Sequence, residues 1–449
     1  MKRNLFTSVS ILLLCSVINA QDITKQWTLE ECISYAVANN INLKQQRQEE
    51  ESKMIELNVS QNSRLPNLNA YLGQNLYFGR TPSRDGVIID QNSANSSFQV
   101  QLNLPLFEGF KIQNTIAVRK LNLMAATESL NKAQEDLALN VASYFLQALY
   151  NKEILSIAES QVNLTKEQVT RTETLVEVGK IPMSQLYDIK AQLARDEVTL
   201  IEAKNNVSLA LLDLAQSLEL ERFGADFDIV QPDNNEVITN NLSSILLPDN
   251  IYDNAISFKP QIKEQEYLLE SQKMMLKVAQ ADYYPRLSFI ANYGNGYYRY
   301  FGDEAFESYP FSEQFRNNEQ KTIGLSLNIP IFNRFDVRNN VRLTQVAITS
   351  RELMMENSKK ALYKEIQQAY FMAIASYEKY IASEKSVVAS KEALIYAEER
   401  YAAGKSTVFE YNESKTKYAQ SLSEQAQAKY NFIFRKKILD FYNGIPITL

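Results

Sequence analysis

The amino-acid sequence predicts an α+β membrane protein with an internal two-fold repeat, in which a few β-strands per chain are pooled between copies into one barrel and long coiled-coil helices continue it. Three observations predict this. The chain repeats itself once, each half holds a pair of strands with period-two patterning, and each half then holds a run without a single Gly or Pro, at 111–178 and 333–403.

The repeat is read from matched motifs. Leu104-Pro105-Leu106-Phe107 returns as Ile329-Pro330-Ile331-Phe332, and Gly179-Lys180 returns as Gly404-Lys405, both 225 residues later (330 − 105 and 404 − 179). Leu43-Lys44 and Pro66 match Ile262-Lys263 and Pro285 at a spacing of 219 (285 − 66), which implies loop insertions between the halves. A period this long means a duplicated fold, not a short-period solenoid. The expected organisation is a leader at 1–20, a first repeat at 21–220, a linker rich in Asp, Asn and Pro at 221–248, and a second repeat at 249–449.

The leader reads as a secretory signal. Lys2 and Arg3 form its charged start, an apolar run follows around Ile11 to Leu14, and Ile18-Asn19-Ala20 is an acceptable cleavage site. Cys15 offers an alternative reading as a lipid-attachment site, against which the large Leu14 and the apolar Val17 and Ile18 stand. Loss of the leader takes Lys2 and Arg3 with it, so the net charge of −6 becomes −8 (−6 − 2), and Cys32 is left as a lone thiol. That excludes a disulfide framework.

The first helix is expected over 29–60, opened by a capping box of Thr28 and Glu31 and closed at Arg64-Leu65-Pro66. Strict alternation in Phe98-Gln99-Val100-Gln101-Leu102-Asn103-Leu104 and in Ile323-Gly324-Leu325-Ser326-Leu327-Asn328-Ile329 predicts strands with one apolar and one polar face. Their partners are expected at 68–78 and 287–298, with polar loops at 79–96 and 299–320 between. Tyr71, Tyr77, Phe78, Tyr293, Tyr297, Tyr298 and Tyr300 suit an aromatic interface belt, with some left to fill the lumen or the loops. Each breaker-free run predicts a helix of roughly 100 Å at 1.5 Å per residue. Leu123, Ala126, Leu130, Ala133, Leu137, Val141, Tyr144 and Ala148 recur at spacings of three and four, as in a coiled coil. Gly179 and Gly404 end these runs as tight turns into return helices at 183–220 and 407–442.

Composition removes most other functions. There is no histidine, hence no Ser-His or Cys-His pair and no usual zinc ligand. With 47 basic and 53 acidic residues there is no footprint for nucleic acid. Carboxylate pairs occur only on amphipathic helices, and phosphate-binding loops, nucleophile elbows and metal clusters are missing, so neither an enzyme nor a cofactor is expected. A soluble coiled-coil scaffold would need neither the leader nor the period-two strands.

Strand counting then leads to oligomerisation. Open sheet edges do not persist in lipid, because each unpaired backbone group there costs several kcal/mol. A membrane barrel needs at least about eight strands. Four per chain must therefore be pooled: two copies give a barrel normally filled by side chains, and three copies can leave a pore.

In order, duplication and spacing these motifs resemble the TolC-type outer-membrane efflux family over nearly the whole mature chain. The matching residues are Thr28-Leu29-Glu30-Glu31-Cys32-Ile33 followed by Asn39-Asn40, Leu65-Pro66-Asn67-Leu68, the two Pro-containing strand exits, and the turn Glu398-Glu399-Arg400-Tyr401-Ala402-Ala403-Gly404-Lys405-Ser406-Thr407. The resemblance implies a homotrimer, a 12-stranded β-barrel in the outer membrane and an α-helical barrel across the periplasm. It also implies docking to a periplasmic adaptor and an inner-membrane transporter. The cargo would be small molecules or ions, with type I protein secretion or a non-transporting structural role as alternatives.

The family places acidic residues just inside the periplasmic mouth, and Glu410 and Glu413 match those positions. Their bland alternative is a solvated helix face. The family also tethers its closed mouth by polar links, for which Tyr401 and Ser406 against Ser184 and Gln185 are the counterparts. Ser406 stands where a basic residue can occur and Gln185 where a carboxylate can, which leaves neutral hydrogen bonds of about 1 kcal/mol each. The turns Gly179-Lys180 and Gly404-Lys405 are the implied adaptor contacts.

Overall fold

The computed structural model describes residues 26–82, 86–221, 227–231, 246–301 and 308–448. The leader, and most of the segment expected as a linker, lie outside the described residues. The first half runs β1 (Gln26–Trp27), α1 (Leu29–Asn39), α2 (Ile41–Asn62), β2 (Asn67–Tyr77), β3 (Arg80–Pro82), β4 (Ile88–Asp90), β5 (Asn92–Glu108), α3 (Lys111–Glu177) and α4 (Met183–Ser217). After β6 (Asp228–Ile229) the second half runs α5 (Pro248–Phe258), α6 (Pro260–Ala281), β7 (Arg286–Phe301), α7 (Phe311–Asn317), β8 (Gln320–Asn328), α8 (Asp336–Ala402) and α9 (Val408–Tyr442). The duplication is exact in the hairpins. α3 and α8 each hold 67 residues, and α4 and α9 each hold 35.

The single helix expected over 29–60 is two helices. Asn40 leaves helical geometry (φ −56°, ψ 130°), closes α1 by donating its N–H to Ala36 O at 2.8 Å, and caps α2 by accepting the Leu43 N–H on Oδ1 at 3.2 Å. The counterpart break lies at Lys259, held extended by the following Pro260. Each break lets a short helix turn inward onto a core. α1 sets Leu29, Cys32 and Ala36 against Val141, Phe145, Leu149 and Leu214 of the first hairpin. α5 sets Ile251 and Ala255 against Leu362, Ile366 and Leu439 of the second. Each large buried side chain contributes about 1.5–3 kcal/mol, so these two cores anchor the helical body. The pair β1–β6 is parallel, with Trp27 edge-on to Tyr35 at 5.2 Å, and roofs the first core. α3 packs along α4, α8 along α9, and α6 lies between α3 and α8.

β2, β5, β7 and β8 form one antiparallel sheet in that order, which leaves β2 and β8 as edges. The register sorts the alternating residues cleanly. Leu68, Ala70 and Leu72 stand opposite Leu102, Val100 and Phe98, and Phe289 and Ala291 stand opposite Leu325 and Ile323. The other face carries Asn69, Gln99, Gln101, Asn292, Thr322 and Ser326. Leu72 and Ile323 on the apolar face are 78% and 77% exposed, so over this part of the sheet no described residue covers that face.

The strand-to-helix junctions are also duplicated. Phe110 and Phe335 take left-handed geometry (φ 64° and 67°) at the N-caps of α3 and α8. A non-glycine residue there costs about 1–2 kcal/mol. Edge-to-face rings offset it: Phe107 with Phe110 at 5.4 Å, and Phe332 with Phe335 at 5.6 Å. The loop expected at 79–96 contains the β3–β4 hairpin, and the one expected at 299–320 contains α7.

Candidate functional site

The two hairpin ends are built alike. Gly179 and Gly404 sit at φ 70° and 69°. Gly179 donates to Val176 O at 2.9 Å and Lys180 to Leu175 O at 2.9 Å, while Gly404 donates to Tyr401 O at 3.0 Å and Lys405 to Arg400 O at 2.8 Å. These are paired Schellman closures, which satisfy the last helical carbonyls and require the left-handed residue. A Cβ at either glycine would meet nothing within 4 Å, so conformation and not crowding selects glycine. Lys180 and Lys405 are exposed beside them.

Beyond Gly404 the return helix α9 starts with a capping box. Thr407 Oγ1 accepts the Glu410 N–H at 3.3 Å, and Glu410 Oε2 accepts the Thr407 N–H at 3.4 Å. Arg400 approaches the same carboxylate at 3.9 Å. One turn on, Glu413 accepts from Lys417 Nζ at 2.7 Å. Both carboxylates are thus exposed, and each has a cation beside it. Exposed pairs of this kind are worth about 0–1 kcal/mol and leave the carboxylates solvated.

The tether candidates are brought to the same end without being joined within the chain. Ser184 is exposed and Gln185 half-buried in the first turn of α4. Tyr401 stacks on Tyr411 at 5.5 Å, and burial pushes the Tyr411 phenol upward. Ser406 Oγ is shielded from solvent and has no hydrogen-bond partner among the described residues.

A cluster that sequence reading missed joins the two hairpins above this end. Lys415 of α9 is buried and donates to Thr165 Oγ1 of α3, and its Nζ lies 3.5 Å from Asp196 Oδ2 of α4. Thr165 Oγ1 also donates to Asp196, whose other oxygen accepts from Gln192 Nε2 at 2.7 Å. Burial pulls the Lys415 ammonium below the ordinary lysine value, with Asp196 opposing. Lys429 repeats the device higher up with Glu153 at 2.9 Å, and Lys259 does so with Glu135 at 3.1 Å over the Phe441 ring. In sequence Lys415 and Lys429 read as ordinary polar positions on an amphipathic helix, and Lys259 as the residue before Pro260. Only the packing of a third helix buries them.

Comparisons with known proteins agree with this architecture. The outer membrane efflux protein family matches residues 32–219 and 251–435, one stretch per repeat. Outer membrane protein TolC of Escherichia coli K12 is 22% identical over 440 residues, which is 95% of this chain and 84% of TolC. The solved structure of CusC superposes with a TM-score of 0.77 at 16% identity, covering 93% of this chain and 92% of CusC. VceC of Vibrio cholerae superposes at 0.73 and 13% identity, covering 93% and 96%. Two matched stretches that together span most of the chain, on a duplicated fold of four strands and two long hairpins, place it: this chain belongs to the outer membrane efflux protein family, and it is a channel subunit of the outer membrane, not an enzyme.

Proposed function

We propose that three copies of this chain close one 12-stranded barrel and one helical tube, through which small molecules or ions leave an inner-membrane transporter by way of a periplasmic adaptor. The observation that carries this reading is the pair of sheet edges, β2 and β8, each paired on one side only among the described residues, while much of the apolar face beside them stands exposed. An edge of β8 paired with β2 of the next copy removes every open strand from the lipid. The helices repeat the logic. Ile55 and Val59 on α2, and Leu343, Val346 and Leu353 on α8, are exposed apolar residues that the same pairing would cover.

In this assembly the hairpin ends form the periplasmic mouth. Glu410 and Glu413 become rings of like charge that favour cations, with Arg400 and Lys417 tempering them. Tyr401 and Ser406 then meet Ser184 and Gln185 across the closed mouth. Gly179, Lys180, Gly404 and Lys405 form the small, basic tips that nest against the adaptor. The test is a reversal potential in a planar bilayer under a salt gradient. The wild-type channel should favour cations, and Glu410→Gln with Glu413→Gln should reduce that preference. An unchanged reversal potential rules out the charge rings. Co-purification of an adaptor from membranes, lost on altering both tips, tests the docking.

A further inference from the structure

β8 ends where Gln320 pairs with Gly294, but β7 continues to Phe301, so among the described residues its outer stretch lacks a strand on that side. α7 takes the place of one. The buried Gln314 side chain accepts the Tyr298 N–H at 2.9 Å and donates to Tyr298 O at 2.8 Å, which satisfies both groups of one residue as a neighbouring strand would. Asn318 donates to Gly296 O at 2.7 Å, and the Tyr300 N–H donates to Ser308 Oγ at 3.1 Å. The open edge is therefore sealed by side chains.

The helix also leans to one side of the sheet. Phe315 meets Phe98 at 6.4 Å and Phe311 meets Tyr297 at 5.4 Å. By register Phe98, Asn295 and Tyr297 belong to the apolar face, not the polar one. At this height that face has itself turned polar, with Gln74, Ser96 and Asn295 on it. α7 covers Asn295, which donates to Phe315 O at 2.6 Å, and lays aromatic rings over it. Phe311 and Tyr309 remain 52% and 67% exposed.

We propose that α7 is an interfacial helix standing on the outside of the barrel, with Tyr309, Phe311 and Phe315 seated in the lipid interface of the outer leaflet. It continues the lipid-facing band across the rows where Gln74, Ser96 and Asn295 interrupt the apolar residues of this face. Aromatic rings suit that depth, where one side is apolar and the other wet. Continuity with the apolar face argues for lipid as the occupant, ahead of the bore or a neighbouring copy.

The test uses Phe311→Trp and, separately, Tyr309→Trp in the full chain carrying Trp27→Phe, which removes the only native indole. The protein is reconstituted into phosphatidylcholine vesicles brominated either near the headgroup end or near the middle of the acyl chain. Ile323→Trp serves as the reference within the strand band. Emission from both α7 probes should be quenched more by the shallow bromines, and emission from the reference more by the deep ones. Quenching of the α7 probes by aqueous acrylamide alone would place the helix in water and overturn the proposal. Insensitivity to both quenchers would bury it against a neighbouring subunit, and also overturn it. A reference probe untouched by bromines would show instead that the apolar face does not meet lipid.

Discussion

Glu410 is held by two contacts with different physics, and they can be separated. Its backbone N–H completes the cap on Thr407, and its carboxylate returns a hydrogen bond to the Thr407 N–H. Glutamine serves a capping box as well as glutamate, so Glu410→Gln removes charge while keeping the turn. That makes it a clean probe of the proposed cation preference. Lys415 is the opposite case, because its buried side chain and hydrogen bonds are structural. Lys415→Ala should destabilise the protein by about 3–5 kcal/mol by opening a cavity and removing a hydrogen-bond partner of Thr165 and Asp196. Lys415→Met combined with Asp196→Leu should recover most of that loss; denaturant unfolding of the detergent-solubilised protein measures both. Because the folded Lys415 value lies below the unfolded 10.5, the unfolded chain binds more protons between the two values. Stability should therefore rise with pH across that window and level off above it, and Lys415→Met should abolish this slope. At this scale the glycines were legible in the sequence, since an isolated Gly ending a breaker-free run has few other uses. The buried cluster was not, because Thr165, Asp196 and Lys415 lie on three helices whose mutual approach no local pattern encodes.

Elements followed from the sequence wherever periodicity was long, and escaped it wherever a single residue decided. The 67-residue helices and the period-two strands declare themselves by their extent. The break at Asn40 does not, since Asn40-Ile41 continues an acceptable helical pattern and only the side-chain cap reveals the corner. Asn40→Ala should cost about 1 kcal/mol by removing that cap, seen as a lowered unfolding midpoint and faster amide exchange at Leu43. The left-handed Phe110 and Phe335 were invisible for a related reason. Sequence rules expect glycine or asparagine there, and the strain is offset by a ring pair that only the folded junction forms. α7 escaped because a seven-residue helix among polar loop residues has no periodicity to detect, and what fixes it is an edge left open by a shorter neighbour.

At the scale of the molecule, a sheet with two bare edges and one exposed apolar face is incomplete alone, and the repeat distributes that incompleteness evenly between β2 and β8. The two faces should respond differently to charge. Leu325→Arg, on the apolar face near the middle of β8, should cost about 2–4 kcal/mol and sharply lower recovery of assembled protein from outer membranes. Ser326→Arg, on the polar face next to it, should assemble normally and alter conductance instead. The fold class was legible at this scale because a shortage of strands is countable, whereas the exposed apolar residues of α2 and α8 needed the folded chain to be seen. The most direct test of the closed, shared bore is single-channel recording from purified protein whose copy number is fixed by mass spectrometry in detergent. Uniform conductance steps from a species of three copies are the expected result. A folded, membrane-inserted single copy, or three copies that never conduct, would contradict the account.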